Sequence, residues 1–253
     1  MSINFLFFFL KYLAIFNLYE FHPSVMRYSC GACPEGGYPY EIISLMKGYS
    51  TNSDQGKQKR AGSSTLVKGS KNVIVDTGNP FEKEKLLKAL DESNTSPNDI
   101  HYVVCTHCCL DHAGNLNLFP DAKFLVSNVC MSKRGVYDCL KTFPIKIDHG
   151  LKVVRTPGIF ESDMSVIVEN TRHGTVAITG DLFKNEGDLS AQGESRKMIL
   201  NLADFIVPGH GTMFRNTEKY THGNMHTSLP VVAFCIKMHV TSGDVLLPIR
   251  ISL

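Results

Sequence analysis

Four side chains at ligand spacing fall within one short stretch, THCCLDH, from Thr106 to His112. They are His107, Cys109, Asp111 and His112. Imidazole, thiolate and carboxylate are the groups that bind zinc. Alternate residues of an extended or tightly turned loop can converge on one point. The spacing asks for His-x-His-x-Asp-His, with Cys109 standing where a second imidazole would come. Thiolate is itself a zinc ligand, with a Zn–S distance of ~2.3 Å. It adds negative charge, however, and reaches less far than an imidazole. Cys108 is a rival donor if the loop shifts register by one.

Four further pieces follow the same rule. VDTGNP carries Asp76, TPG spans Thr156 to Gly158, TGDLF carries Asp181, and VPGHG carries His210. Each alone reads as an ordinary turn. Five pieces in one order, each at the end of a strand-like run, argue for an assembled site.

The elements that must position them alternate along the chain. YEIISLMKG, the two halves of TLVKGSKNVIVDTG, HYVVCTH, AKFLVSN, KVVRTPG, MSVIVENT, GTVAITGDLF and FIVPGHG read as strands. FEKEKLLKALDES has Phe81, Leu86, Leu87 and Leu90 at helical spacing, and SRKMILNLADF has the same period. GNLNLF is expected to open another helix. YSTNSDQGKQKRAGSS reads as a polar loop within a hairpin. Such alternation predicts an α/β fold, which gathers site residues along one sheet edge.

The set CTHCCLDHAGNLNLFPDA, TPGIFESDMSVIVEN, GDLF and ADFIVPGHGTMFR resembles the metallo-β-lactamase superfamily, over Tyr38 to about Arg215. The resemblance implies an αββα sandwich: two mixed β-sheets face to face, flanked by helices, with metal at one edge. It also implies two Zn2+ sites. Asp111, His112 and His210 would form the second, with Asp181 bridging both ions and Asp111 also orienting the attacking water. The first would take His107, the residue at 109 and one after TPG, where this chain has Cys109 and Ile159. Asp76 matches an acidic position that supports the loop without touching metal. One zinc is therefore expected at an intact site, and the first site is depleted, with weaker metal binding and reduced turnover.

By the same resemblance the activity is hydrolysis by metal-activated water at a carbonyl or phosphoryl centre. One subgroup of the superfamily implies an endoribonuclease acting at histone pre-mRNA 3′ ends, and a homodimer. The competing class is a binding or regulatory protein that keeps the fold. A formal net charge of +2 is too small to argue for nucleic-acid or membrane binding by bulk electrostatics. The substrate class is thus a small molecule or RNA. The basic segment GKQKRAG, Gly56 to Gly62, reads as a solvated loop.

Eight scattered cysteines lack the regular framework of small secreted domains, which suggests reduced thiols in the cytosol or nucleus. Pairing Cys30 and Cys33 with Cys105 and Cys108 as a zinc site is rejected, because Cys105 lies in a strand run and should face the core. Residues 1–37 read as an extension whose apolar run, Phe5 to Phe16, is too short to span a bilayer. A signal or an anchor is the other reading of that run. The domain is expected over 38–215, followed by a tail over 216–253.

Overall fold

The computed structural model describes residues 37–52, 56–132, 135–190 and 192–221. The expected N-terminal extension, except Gly37, and the tail beyond Thr221 lie outside the described residues. In chain order the elements begin with β1 (Tyr40–Met46), β2 (Tyr49–Asn52), β3 (Gln58–Ala61), β4 (Ser64–Gly69), β5 (Val73–Val75) and α1 (Lys83–Glu92). Next come β6 (Tyr102–Cys105), α2 (Leu110–Ala113), β7 (Lys123–Val126), β8 (Val129–Ser132), β9 (Val136–Cys139) and β10 (Ile145–Asp148). The remainder are β11 (Leu151–Arg155), β12 (Met164–Thr171), β13 (Gly174–Gly180), α3 (Glu194–Leu202), β14 (Phe205–Pro208), β15 (Phe214–Arg215) and α4 (Glu218–Thr221).

Two mixed sheets form. One runs β1-β4-β5-β6-β7-β8-β9 and the other β15-β14-β13-β12-β11-β10. They meet along one edge through a single parallel pairing, Tyr40 with Thr171, so the hydrogen-bonded strands form one 13-stranded sheet in which β11 and β10 branch from β12. A separate hairpin pairs β2 with β3.

The period-2 side-chain alternation of strands produces the layers. Val73 and Val75 point into one apolar cluster, and Ile74 between them points into another. In the second sheet Val166 and Val168 enter the first of these clusters, while Ile167 faces away. The shared cluster, with Val104, Leu125, Val153, Val176 and Val207, is the seam between the sheets. On the outer face of the first sheet, Leu86 and Leu90 of α1 pack on Leu66, Ile74 and Val103. On the outer face of the second, Ile199 and Leu200 of α3 pack on Ala177 and Ile206. Each large side chain so buried is worth about 1.5–3 kcal/mol. Sheet-on-sheet packing therefore dominates the fold, and the helices close its outer faces.

Three local expectations are corrected. The polar stretch after β1 is not a loop throughout, because Tyr49–Asn52 and Gln58–Ala61 zip into the β2–β3 hairpin. GNLNLF does not open a helix. The α-helical turn comes earlier, at Leu110–Ala113, and Leu116–Leu118 is a 3-10 turn. Its Asn115 explains the break: Nδ2 donates to Thr77 O and Asn79 O, locking the backbone there. Phe81 lies in the 3-10 turn before α1 and is exposed, so that helix buries only Leu86 and Leu90.

Candidate metal centre

Parallel strand pairs deliver the donors. β5 and β6 run parallel and end at Asp76 and the Thr106–His112 segment. β13 and β14 also run parallel, ending at Asp181 and His210. A hydrogen bond from Met164 N to Thr106 O, 2.9 Å, ties the ends of the two sheets together. The donors thus collect at one rim of the sandwich.

Asp76 organises the first sheet's contribution. It adopts a left-handed backbone, φ 59°, which Asp tolerates better than most residues. Its carboxylate accepts from Thr106 N and Thr106 Oγ1, each at 2.7 Å, and from His112 Nδ1 at 2.7 Å. The other two histidines are held by the same kind of contact. His107 Nδ1 donates to Thr106 Oγ1, 3.1 Å, and His210 Nδ1 donates to Ala61 O, 2.9 Å. With Nδ1 engaged in each ring, Nε2 is the nitrogen left to bind metal, the usual way a backing acceptor fixes the tautomer of a ligating histidine.

The Nε2 atoms converge on Asp181. Its Oδ1 lies 3.1 Å from His210 Nε2 and 3.4 Å from His112 Nε2, and its Oδ2 lies 3.9 Å from His107 Nε2. Asp111 Oδ2 stands 3.8 Å from His210 Nε2 and 3.9 Å from His112 Nε2. Two donor groups result, His107–His112–Asp181 and Asp111–His112–His210, the ligand atoms of each within 4.8 Å of one another. His112 belongs to both.

These residues fit a divalent metal. His107 Nε2, His112 Nε2, Asp111 Oδ2 and Asp181 Oδ1 are buried without a hydrogen-bond partner among the described residues. Each such group left unpaired costs about 1–3 kcal/mol, and a divalent cation held by these donors would satisfy them. The mixed imidazole and carboxylate set suits zinc.

The remaining sequence candidates fall differently. Cys109 is half-buried at the start of α2 and stands outside both donor groups. Cys108 is exposed, its Sγ 2.9 Å from Ser127 Oγ. Cys105 is fully buried in β6, while Cys30 and Cys33 lie outside the described residues. Ile159 is 47% exposed, as is Phe160, whose ring centroid sits 6.5 Å from that of His107. Behind them Asp163 Oδ2 accepts from Phe160 N at 2.9 Å, closing the turn after TPG.

Sequence reasoning missed the segment Arg60–Ser63. Arg60 Nε lies 3.2 Å from Asp111 Oδ2, so the basic stretch is not simply a solvated loop. Gly62 N donates to Asp111 O at 3.1 Å. A Cβ on Gly62 would come within 2.5 Å of that oxygen and 2.9 Å of the His112 ring. Gly209 is equally constrained, since its Cβ would meet Asp181 Oδ1 at 2.0 Å. The RAG and PGH pieces in the sequence signal close backbone approach only once their neighbours are known.

Burial alone would push the His112 imidazole down, but the Asp76 and Asp181 carboxylates outweigh it and hold its pKa at about 10. Burial would raise Asp181, yet its contacts with His112 and His210 hold it well below the usual carboxylate range. His107 is pushed down by burial and by His112. A metal ion at this centre would compete with a proton for His112 Nε2, and acid favours the proton. Apparent zinc affinity is expected to rise about tenfold from pH 6 to pH 7, one released proton per unit. A chelator-competition titration across that range checks this, and a flat profile would contradict it.

The comparisons place this geometry in a class. The metallo-beta-lactamase superfamily model matches residues 58–134. A probable metal-dependent hydrolase from Staphylococcus aureus superposes with a TM-score of 0.54 at 14% identity, covering 72% of this chain and 94% of that one. Metallo-beta-lactamase domain-containing protein 1 of Xenopus laevis is 40% identical over 194 residues, 71% of this chain and 83% of its own length. The Homo sapiens protein of that name is 37% identical over 230 residues, 74% of this chain and 86% of its own. The chain belongs to the metallo-β-lactamase superfamily, in the family of metallo-β-lactamase domain-containing protein 1. Its members are in general metal-dependent hydrolases.

Proposed function

We propose that the chain is a zinc-dependent hydrolase that works with one metal ion. The observation that carries this is the overlap of the two donor groups at His112. Its Nδ1 is committed to Asp76, so its one free nitrogen serves a single ion. Ile159 cannot ligate and Cys109 lies outside both groups, so the first group holds only His107 beside the shared His112 and Asp181.

When bound, the metal supplies a lowered pKa for water and polarises the scissile group. The chain's own residues do the rest. Asp76 keeps His112 oriented, Ala61 O keeps His210 oriented, and Thr106 does the same for His107. Asp111, buried and with its Oδ2 3.2 Å from Arg60 Nε, would orient the attacking water. Ile159 and Phe160 give the mouth an apolar side next to His107.

The finer reading is an endoribonuclease acting at histone pre-mRNA 3′ ends, which the sequence resemblance supports. A cation at the metal donors, Arg60, is compatible with phosphodiester substrates. The test uses the zinc-loaded full chain with a neutral aryl ester, bis(p-nitrophenyl) phosphate and single-stranded RNA, each with and without chelator. Turnover of at least one, abolished by chelator and restored by zinc, is the expected result. A zinc-bound protein that turns over none of them would overturn the hydrolase reading and favour a binding role.

A further inference from the structure

We infer that Arg60 is a specificity residue that binds an anionic group next to the scissile bond, and that the substrate of this site is therefore an anion. The inference rests on the hydrolase reading for the meaning of the site and deepens it by naming the substrate class. Arg60 is the penultimate residue of β3. Its Nε lies 3.2 Å from Asp111 Oδ2, yet 39% of its side chain remains exposed while Asp111 is buried. The guanidinium thus has one edge in the metal centre and the rest in solvent at its mouth.

Holding Asp111 requires only that one edge. A guanidinium presents five N–H donors in a planar fork. Among the described residues no ionic partner other than Asp111 is seen for the Arg60 guanidinium. Its backbone is fixed by Asn79 Nδ2, which donates to Arg60 O at 3.2 Å, so the fork is presented from a held strand. Planar, two-toothed recognition of a carboxylate or phosphoryl group is what such a fork does well.

The rest of the hairpin continues the surface. Ser50 pairs with Arg60 and Asn52 with Gln58, so all four side chains share one face of the hairpin. Gln58 Nε2 donates to Ser50 Oγ at 3.0 Å along that face. Among the described residues of this face, a polar strip without a carboxylate therefore leads outward from Arg60. Phe160, at the His107 side, is the apolar counterpart. An anion bound at Arg60 would sit beside Asp111, where the attacking water is oriented. A phosphodiester meets this arrangement with its own charge, and a carboxylate ester meets it with a neighbouring carboxylate.

The test compares zinc-loaded wild type with Arg60→Ala and Arg60→Lys. Binding of bis(p-nitrophenyl) phosphate is followed by calorimetry, and kcat/KM is measured for the diester and for neutral p-nitrophenyl acetate. Zinc content is determined for every sample. Arg60→Ala should bind the diester about 10- to 100-fold more weakly, the range for a charge-assisted contact. Its diester-to-neutral-ester ratio of kcat/KM should fall by a similar factor, with zinc content as in wild type. Arg60→Lys should recover part of both, because it keeps the charge and loses the fork. An unchanged ratio and affinity in Arg60→Ala would overturn the inference, as would a wild type that binds no diester. Loss of zinc along with diester binding would also overturn it, since Arg60 would then act only by positioning Asp111. A wild type that binds diester through Arg60 but turns over nothing would sink the hydrolase reading and leave this inference standing. An n-carboxyalkyl aryl ester, run alongside, separates carboxylate from phosphodiester recognition.

Discussion

Asp181→Asn is expected to strip zinc from the chain while leaving the fold recognisable. Asp181 is the residue on which all three Nε2 atoms converge, at 3.1, 3.4 and 3.9 Å. The amide keeps the volume of the carboxylate but removes its charge, and its NH2 group cannot accept from an imidazolium or donate to a metal. Replacing a residue that only backs a ligand costs about 10- to 100-fold in metal affinity. Loss of the shared donor should exceed that, so a fall of more than about 100-fold is expected. The same substitution takes a carboxylate from beside His112 and His210, so both imidazoles become easier to deprotonate. Competition with a chelator measures the affinity, and NMR titration of the ring protons measures the second effect. A variant with wild-type zinc affinity would contradict the assignment of Asp181.

Asp76→Ala should damage both stability and metal binding without removing a metal donor. Three buried hydrogen bonds end on its carboxylate, and none of Thr106 N, Thr106 Oγ1 or His112 Nδ1 has an alternative carboxylate at hand. Breaking a buried ionic contact by deleting one partner costs about 3–5 kcal/mol. Ala in the left-handed backbone adds about 1–2 kcal/mol. Asp76→Asn separates the two causes, because Asn tolerates φ 59° and keeps one acceptor oxygen. Urea unfolding of metal-free protein should rank wild type above Asp76→Asn and Asp76→Ala lowest. Zinc affinity should fall about 10- to 100-fold in each variant. Equal stabilities for all three would show that the network carries no weight.

The fold was legible in the sequence wherever one periodicity prevailed. Val73-Ile74-Val75 and Val166-Ile167-Val168 are continuous apolar runs because both faces of their strands are covered. Such runs point to buried strands in a layered fold. The donors were legible for a related reason, since Asp76, His107, Asp181 and His210 each stand within two residues of a strand end. Arg60 was not legible. A basic residue in a polar stretch carries no signal of its partner, and Asp111 lies across the site rather than along the chain. Phe81 failed for the opposite reason, because its spacing suits a helix face while its backbone belongs to a 3-10 turn. Asn115 and the Gly62 approach likewise depend on contacts between distant segments, which no local pattern records.

The expectation that one family metal site is depleted rests on single letters, Cys109 and Ile159. The one-ion proposal rests on His112, which offers one free nitrogen to two overlapping donor groups. Native mass spectrometry of the full chain, after dialysis in zinc-free buffer, tests that claim most directly. One zinc retained per chain is the predicted result. Two zincs retained per chain would contradict it.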